Sequence, residues 1–319
     1  MMKAIRVLDG RPTLVDAPEP AGDGTAVDPV LVDIAAASIC GSDLHLIESG
    51  IAEGRVLGHE FAGTAPDGTP VAVEPLGWCG ACLQCEAGHW NHCSGDFTAY
   101  GVFADGGMAE RLMVPATSLV PLPPGLDPSI ASVAEPLAVA VHGARRVRLS
   151  SADRVAVVGA GPIGLALVAV CRAEGVGVDV EARHDHQRAA VERLGGSVGT
   201  DGAYDVVFDA VGSESSLAAS VALAGPLGRI GLVGSLWEPA RVDMGLCMKE
   251  VEIVPSMMYA RSAAGRDFER AVGVLAAAPV IADVMITHRF PLDAVDEAFA
   301  TAADRAAGAI KVVFEPGSR

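Results

Sequence analysis

Positive charge is in short supply in this sequence: 23 Lys and Arg stand against 40 Asp and Glu, for a formal net charge of −17. A surface of that sign repels phosphate backbones, and no basic run offsets it, so nucleic acid is not an expected partner. Aromatic residues are also scarce, with three Trp, three Tyr and eight Phe, which leaves Ala, Val and Leu to pack the core. Long apolar runs are missing as well. The longest, residues 155–170, is interrupted by Gly159, Gly161, Pro162 and Gly164 and is too short to cross a bilayer. The opening MMKAIRVL carries no apolar signal segment. These absences predict a cytoplasmic protein acting on a small-molecule substrate, with neither membrane nor nucleic acid as partner. There is no internal repeat and no low-complexity linker.

Glycine is abundant, at 37 of 319 residues, and half of all residues are hydrophobic. That length is enough for two domains. Up to about residue 120 the pattern is of short β-like pieces, at 3–8, 30–35 and 70–74, divided by Gly, Pro and Asp turns. From about residue 153, strands alternate with helix-period segments: 154–158, 162–173, 176–181 and 186–194, then 205–210, 215–224, 229–233, 251–255 and 264–277. Such alternation predicts an α/β chain with a parallel, doubly wound sheet.

Four of the seven cysteines fall within fifteen residues, Cys79, Cys82, Cys85 and Cys93, in a C-x2-C-x2-C-x7-C array. Thiolates at that spacing can converge on one tetrahedral ion, and a closed four-sulfur shell is what a structural zinc requires. Two disulfides are the competing reading. The cysteine-poor remainder and the lack of a signal segment argue against a secreted, disulfide-stapled chain. Cys171 reads as a buried small hydrophobe on an apolar helix, and Cys247, beside Met244 and Met248, as an interface residue.

The apolar strand at 155–158 runs into Gly159-Ala160-Gly161-Pro162-Ile163-Gly164 and then into an apolar helix. In that context the first glycine makes the tight turn, the second lets a pyrophosphate approach the backbone and the third permits close helix packing, while the helix N-terminus attracts phosphate. The ribose reader is expected about twenty residues past the last glycine, where Arg183 stands. An arginine there suits a 2′-phosphate, and Arg188 one turn on can assist, so NADP is favoured over NAD. Glu181 takes the NAD role if the strand ends sooner.

A further constellation lies upstream of the cysteine array: Cys40-Gly41-Ser42-Asp43-Leu44-His45, Gly58-His59-Glu60 and, beyond it, the run from Glu135 to His142. A catalytic zinc needs three protein ligands and one open position. Cys40, His59 and either Glu60 or Glu135 meet that count. Read by itself, Glu135 also suits a helix N-terminus, Ser42 a turn and His45 the surface.

On these pieces, together with Gly106-Gly107-Met108-Ala109-Glu110, Phe208-Asp209-Ala210-Val211-Gly212 and Ile310-Lys311-Val312, the chain resembles the zinc-dependent medium-chain dehydrogenase/reductase (alcohol dehydrogenase) family, in its sorbitol, butanediol and threonine dehydrogenase-like branch. The resemblance implies a GroES-like, mainly β catalytic domain at 1–147, completed by 286–319, with a Rossmann NAD(P)-binding domain at 148–285 between them. It implies Cys40, His59, Glu60 and Glu135 on a catalytic zinc, a second, structural zinc on the cysteine array, and Val211 and Gly212 on the cofactor. It implies that Ser42 takes the alcohol proton and that the nicotinamide ribose and His45 pass it to solvent. It also implies a homo-oligomer, dimer or tetramer. Glu135 stands where other alcohol dehydrogenases have a cysteine, so Glu60, Glu135 and water can exchange on the metal. The expected function is oxidation of a secondary alcohol or polyol. A metal-free quinone or enoyl reductase and a non-catalytic cofactor-binding structural protein are the alternatives. The loop at 46–57 is short and lacks aromatic residues, and the run at 64–70 is compressed, which leaves the substrate class open.

Overall fold

The structure is a computed structural model that describes residues 1–21, 28–304 and 306–317. The chain divides into two units, Met1–Glu135 with Ala260–Arg319, and Pro136–Tyr259.

In the first unit the long strand Pro29–Ile39 pairs with three others: Lys311–Phe314, Glu60–Thr64 and Arg111–Pro115. The sheet extends to Ile286–Phe290 on one side and through Pro70–Val73 to Leu119–Pro121 on the other, seven strands in all. Every pairing is antiparallel except that of Ile286–Phe290 with Lys311–Phe314. Alternate side chains, among them Val32, Ile34, Phe61, Val71, Val73, Leu112 and Phe314, enter one core. Full burial of a side chain such as Phe61 contributes roughly 1.5–3 kcal/mol. Register then decides what gathers at one end of the sheet. Ser38 lies opposite Glu60 and Ile39 opposite Val312, so the ends of three strands bring Cys40, His59, Glu60 and Lys311 together.

The second unit has six parallel strands in the order Ser197–Val198, Val178–Glu181, Val155–Val158, Tyr204–Asp209, Ala224–Leu232, Glu252–Pro255. Helices Pro162–Ala173, Asp185–Arg193 and Glu214–Leu223 connect them. All four residues of Val155–Val158 are buried, as a strand covered on both faces must be. This is the doubly wound α/β sheet expected from the alternation, and the Rossmann type that the resemblance implies.

The divisions of the chain fall elsewhere than at 147/148 and 285/286. Helix Ala134–Arg146 is continuous across Glu135 and Pro136. The chain rejoins the first unit at Ala260 because helix Asp267–Ala277 packs on strand Leu119–Pro121, and helix Val280–Met285 packs on the 3-10 helix Pro128–Val133. The helix expected from residue 264 starts at Asp267, since Arg261–Ser262 and Gly265–Arg266 form a small hairpin ahead of it. No described helix is long and apolar enough to cross a membrane.

Candidate active site

Strand Pro29–Ile39 ends at Cys40, which begins the helix Gly41–Glu48. Ligand atoms of Cys40, His59 and Glu60 lie within 4.8 Å of one another. Their surroundings aim them. Asp43, fully buried at the third position of the helix, accepts a hydrogen bond from the Cys40 N–H at 2.8 Å through Oδ2, and its Oδ1 lies 3.2 Å from His59 Nδ1. One carboxylate thus braces two candidate ligands, and a carboxylate on the far nitrogen of a ligating imidazole fixes its orientation and raises its basicity. The other nitrogen, Nε2, lies 3.2 Å from Ser42 Oγ. Burial works against a charged His59, but the Asp43 and Cys40 charges outweigh it and hold the imidazole well above its usual 6.5.

Glu60 and Lys311 form an ion pair with each side chain 1% exposed, the ammonium donating to Oε1 at 2.7 Å and also to the Ile39 carbonyl at 3.3 Å. Burial disfavours the ammonium, yet the Glu60, Cys40 and Glu135 charges keep Lys311 above its usual 10.5. Oε2 of Glu60 is buried and has no hydrogen-bond partner among the described residues. A bare carboxylate oxygen out of water is costly, and thiolate, imidazole and carboxylate together suit a divalent zinc. The residues therefore fit the ion. Glu135 is outside the group of three. It sits 7% exposed in the first turn of Ala134–Arg146, near enough for its charge to act on Lys311. His45, in the last turn of the helix that Cys40 begins, has its Nδ1 3.6 Å from Glu48 and is 41% exposed.

The four cysteines of the 79–93 loop also converge, with ligand atoms within 4.8 Å of one another. All four are free thiols, with Cys79 Sγ at 3.5 Å from Cys93 Sγ and 4.0 Å from Cys85 Sγ. Those separations bracket the ~3.8 Å that a tetrahedral zinc with sulfurs at ~2.3 Å sets between its ligands, and far exceed a disulfide. Backbone N–H groups of Ser94 and Cys85 pull Cys82 down to about 5, and those of Ala81 and Cys82 lower Cys79, whereas burial pushes Cys85 up to about 12. Trp78 and Trp90 stack across the loop at 4.4 Å, and the Arg266 guanidinium lies 5.9 Å from each ring. Arg266 also binds Glu74 through Nε at 2.9 Å, and Arg261 N–H donates to the Gly88 carbonyl at 3.0 Å. Burial pushes Glu74 up to about 7 although Arg266 pulls it down.

In the second unit the glycine turn follows strand Val155–Val158. Gly159 has φ +96°, a Cβ on Gly164 would overlap the Gly159 carbonyl, and a Cβ on Gly161 would meet nothing within 4 Å. The turn, the close packing and the open space above the N-terminus of helix Pro162–Ala173 thus fall on three different glycines, as a pyrophosphate cradle needs. Pro162 opens that helix, where its missing N–H costs nothing, and Ile163 follows it. Val211 covers Gly159, and the segment Val211-Gly212 is held by the fully buried Asp209, whose Oδ1 accepts both N–H groups at 2.9 and 3.0 Å. Strand Val178–Glu181 ends at Glu181, two residues before Arg183, and the Glu181 carboxylate accepts from Thr200 Oγ1 at 2.9 Å. Arg183 is exposed. The Arg188 guanidinium is engaged with the carbonyls of Ala182 and Arg183 and with Asp185.

With that geometry in place, two family models cover the chain: the alcohol dehydrogenase GroES-like domain over residues 27–124 and the glucose dehydrogenase C-terminus over 127–315. The chain belongs to the medium-chain alcohol and polyol dehydrogenase family. It is 31% identical over 304 residues to L-galactonate-5-dehydrogenase of Escherichia coli (strain K12), covering 84% of this chain and 86% of that one. Among solved structures, it is similar to a short chain alcohol dehydrogenase of Escherichia coli CFT073 complexed with NADH, with TM-score 0.87, 28% identity, and coverage of 98% of this chain and 99% of that one. It is also similar to a Sinorhizobium meliloti 1021 protein bound to NADP, with TM-score 0.85, 29% identity and coverage of 99% of each chain.

Two side chains of this dehydrogenase escape a reading of its sequence. Asp43 carries a signal, an acid three residues into a helix that starts at Cys40. Lys311 carries a weaker one, a lone cation in the apolar strand Lys311–Phe314. Nothing local says which carboxylate that cation meets.

Proposed function

We propose that this dehydrogenase is a zinc-dependent NAD(P)(H) oxidoreductase that interconverts a secondary alcohol or polyol and its ketone, with NADP(H) favoured. The observation that carries the reading is the convergence of Cys40, His59 and Glu60, braced by Asp43 and Lys311, with one buried carboxylate oxygen unpartnered. When bound, zinc would supply Lewis acidity toward the substrate hydroxyl, and a nicotinamide would supply the hydride acceptor. Cys40, His59 and Glu60 would hold the ion, with Glu135 as the carboxylate that could take the place of Glu60 or water. Ser42 would relay the hydroxyl proton, accepting it while passing on its own, and its Oγ, at 3.2 Å from His59 Nε2, is already at the ligand set. His45 lies three residues along the same helix, so the two side chains are neighbours on its surface, and its exposed ring can release the proton to water. The first unit is the catalytic part and the second holds the dinucleotide. A second, structural zinc on the cysteine loop, a cytoplasmic location and a homo-oligomer complete the reading.

Exposed Arg183 supports NADP, since a guanidinium matches a 2′-phosphate. Glu181 at the strand end is the competing group, although Thr200 already engages it. Titrating the protein with NADPH and NADH by nicotinamide fluorescence tests this choice. Tighter NADPH binding, lost in R183E with NADH binding kept, is expected. A preference for NADH moves the ribose contact to Glu181. Screening secondary alcohols and polyols, including sugar acids like the substrate named for the galactonate relative, tests the substrate class.

A further inference from the structure

Lys311 makes two contacts, and each ends beside a different candidate ligand. Its ammonium donates to Glu60 Oε1 at 2.7 Å, and Glu60 follows His59 in the chain. It donates also to the carbonyl of Ile39 at 3.3 Å, and Ile39 precedes Cys40. The backbone cannot easily shift, because Val312, Ile39, Ser38 and Glu60 are locked in adjoining register across three strands. Both charged side chains are 1% exposed, so no water competes for either. The two carboxylate oxygens of Glu60 are therefore unequal. Oε1 is taken, and Oε2 is buried with no partner among the described residues.

We propose that Lys311 is a positioning residue of the metal site, holding Glu60 by Oε1 so that the carboxylate offers the ion one oxygen and not two. This rests on the reading of Cys40, His59 and Glu60 as a metal site. A carboxylate that chelates with both oxygens fills two positions of the shell, whereas a catalytic zinc has to keep one open for substrate. Lys311 thereby protects the vacancy without touching substrate. A buried ion pair placed only to balance charge would ask nothing of which oxygen is used.

The two roles separate on substitution. In K311M the carboxylate is free to turn and present both oxygens. In K311R the planar fork can engage both oxygens itself and withhold them from the ion. The experiment loads the full chain with cobalt(II), whose visible spectrum reports coordination number, and takes differences against C40A, which keeps the cysteine loop but lacks this site. The rate at which a chelator strips the ion is the second readout.

For K311M we expect weaker visible bands, as coordination number rises, and slower stripping. For K311R we expect faster stripping, approaching that of E60Q. Should K311M fail to fold, K311R decides by itself, because it keeps the positive charge. A cobalt signal at this site in the wild type that is unchanged, in bands and in stripping rate, in the variants that fold overturns the proposal alone. Identical spectra for wild type and C40A overturn the metal-site reading and the proposal with it.

Discussion

Two clusters in the first unit gather metal-ligating side chains, and they are built in opposite ways. The cysteine loop draws all its candidate ligands from fifteen consecutive residues, Cys79 to Cys93, four like donors that could close a shell. The Cys40 cluster draws three unlike donors from two strand ends, and its bracing residues Asp43 and Lys311 come from a helix and from a strand near the end of the chain. The loop is fastened to its surroundings through stacked indoles and Arg266, outside the shell. The Cys40 cluster is fastened atom by atom at the ligands themselves. A shell closed with sulfur suits permanence, and a shell of mixed donors with room left in it suits turnover.

The sharpest way to break that contrast is to remove one thiol from each cluster. Cys40→Ala is expected to lower turnover about a thousandfold with little change in Tm, since Lewis-acid stabilisation worth several kcal/mol converts at about 1.4 kcal/mol per decade. Cys82→Ala is expected to lower Tm and expose Trp78 and Trp90, because metal binding proposed there would be folding free energy. Steady-state kinetics beside thermal unfolding, followed by Trp fluorescence, checks both. Equal losses of stability in the two variants would erase the division between a working site and a scaffold.

Next in size is the fastening of the loop. Arg266→Met leaves the Glu74 carboxylate buried without its partner, and breaking such a pair costs about 3–5 kcal/mol. Denaturant unfolding should show the loss, and a change under about 1 kcal/mol would mean that the guanidinium is not what holds the loop.

Asp43→Asn probes the bracing of the other cluster. It keeps the shape but removes the charge beside His59, and metal affinity should fall about 10–100-fold, read by competition with a chromophoric chelator. No change would mean that backbone register alone aims the imidazole.

The smallest expected effect is on pH. In the metal-free protein His59 is held above 6.5, so folding binds its proton more tightly than the unfolded chain does. That contribution to stability is fully present below about pH 6.5 and fades as pH rises through the raised value. Metal uptake has to displace the same proton, so affinity should climb with pH across that window. Proton release measured calorimetrically in buffers of different ionisation enthalpy checks it, and Asp43→Asn should shrink it.

The same contrast explains how much of the molecule was legible in sequence. The cysteine loop and the glycine turn are local patterns, and spacing alone pointed to their geometry. Gly159, Gly161 and Gly164 each meet a different steric demand within six residues. The alternation of strands and helices from Val155 to Pro255 was readable because each period is local too. Asp43 was hidden among ordinary helix-start acids until strand Glu60–Thr64 set His59 against it. Lys311 stands in the sequence only as the middle of the Ile310-Lys311-Val312 piece of the resemblance, with no role of its own, because its partner lies 251 residues away. The return of the chain to the first unit at Ala260 was missed for a related reason. Helices Asp267–Ala277 and Val280–Met285 continue the α/β texture, and only their packing shows which core they serve.

The most direct test is to count zinc per chain in wild type, Cys40→Ala and Cys82→Ala, by native mass spectrometry beside elemental analysis. Two ions in the wild type and one in Cys40→Ala, that one lost when Cys82 is also replaced, is the predicted result. A wild type that holds one ion, and keeps it when Cys40 is gone, would contradict a metal at Cys40, His59 and Glu60.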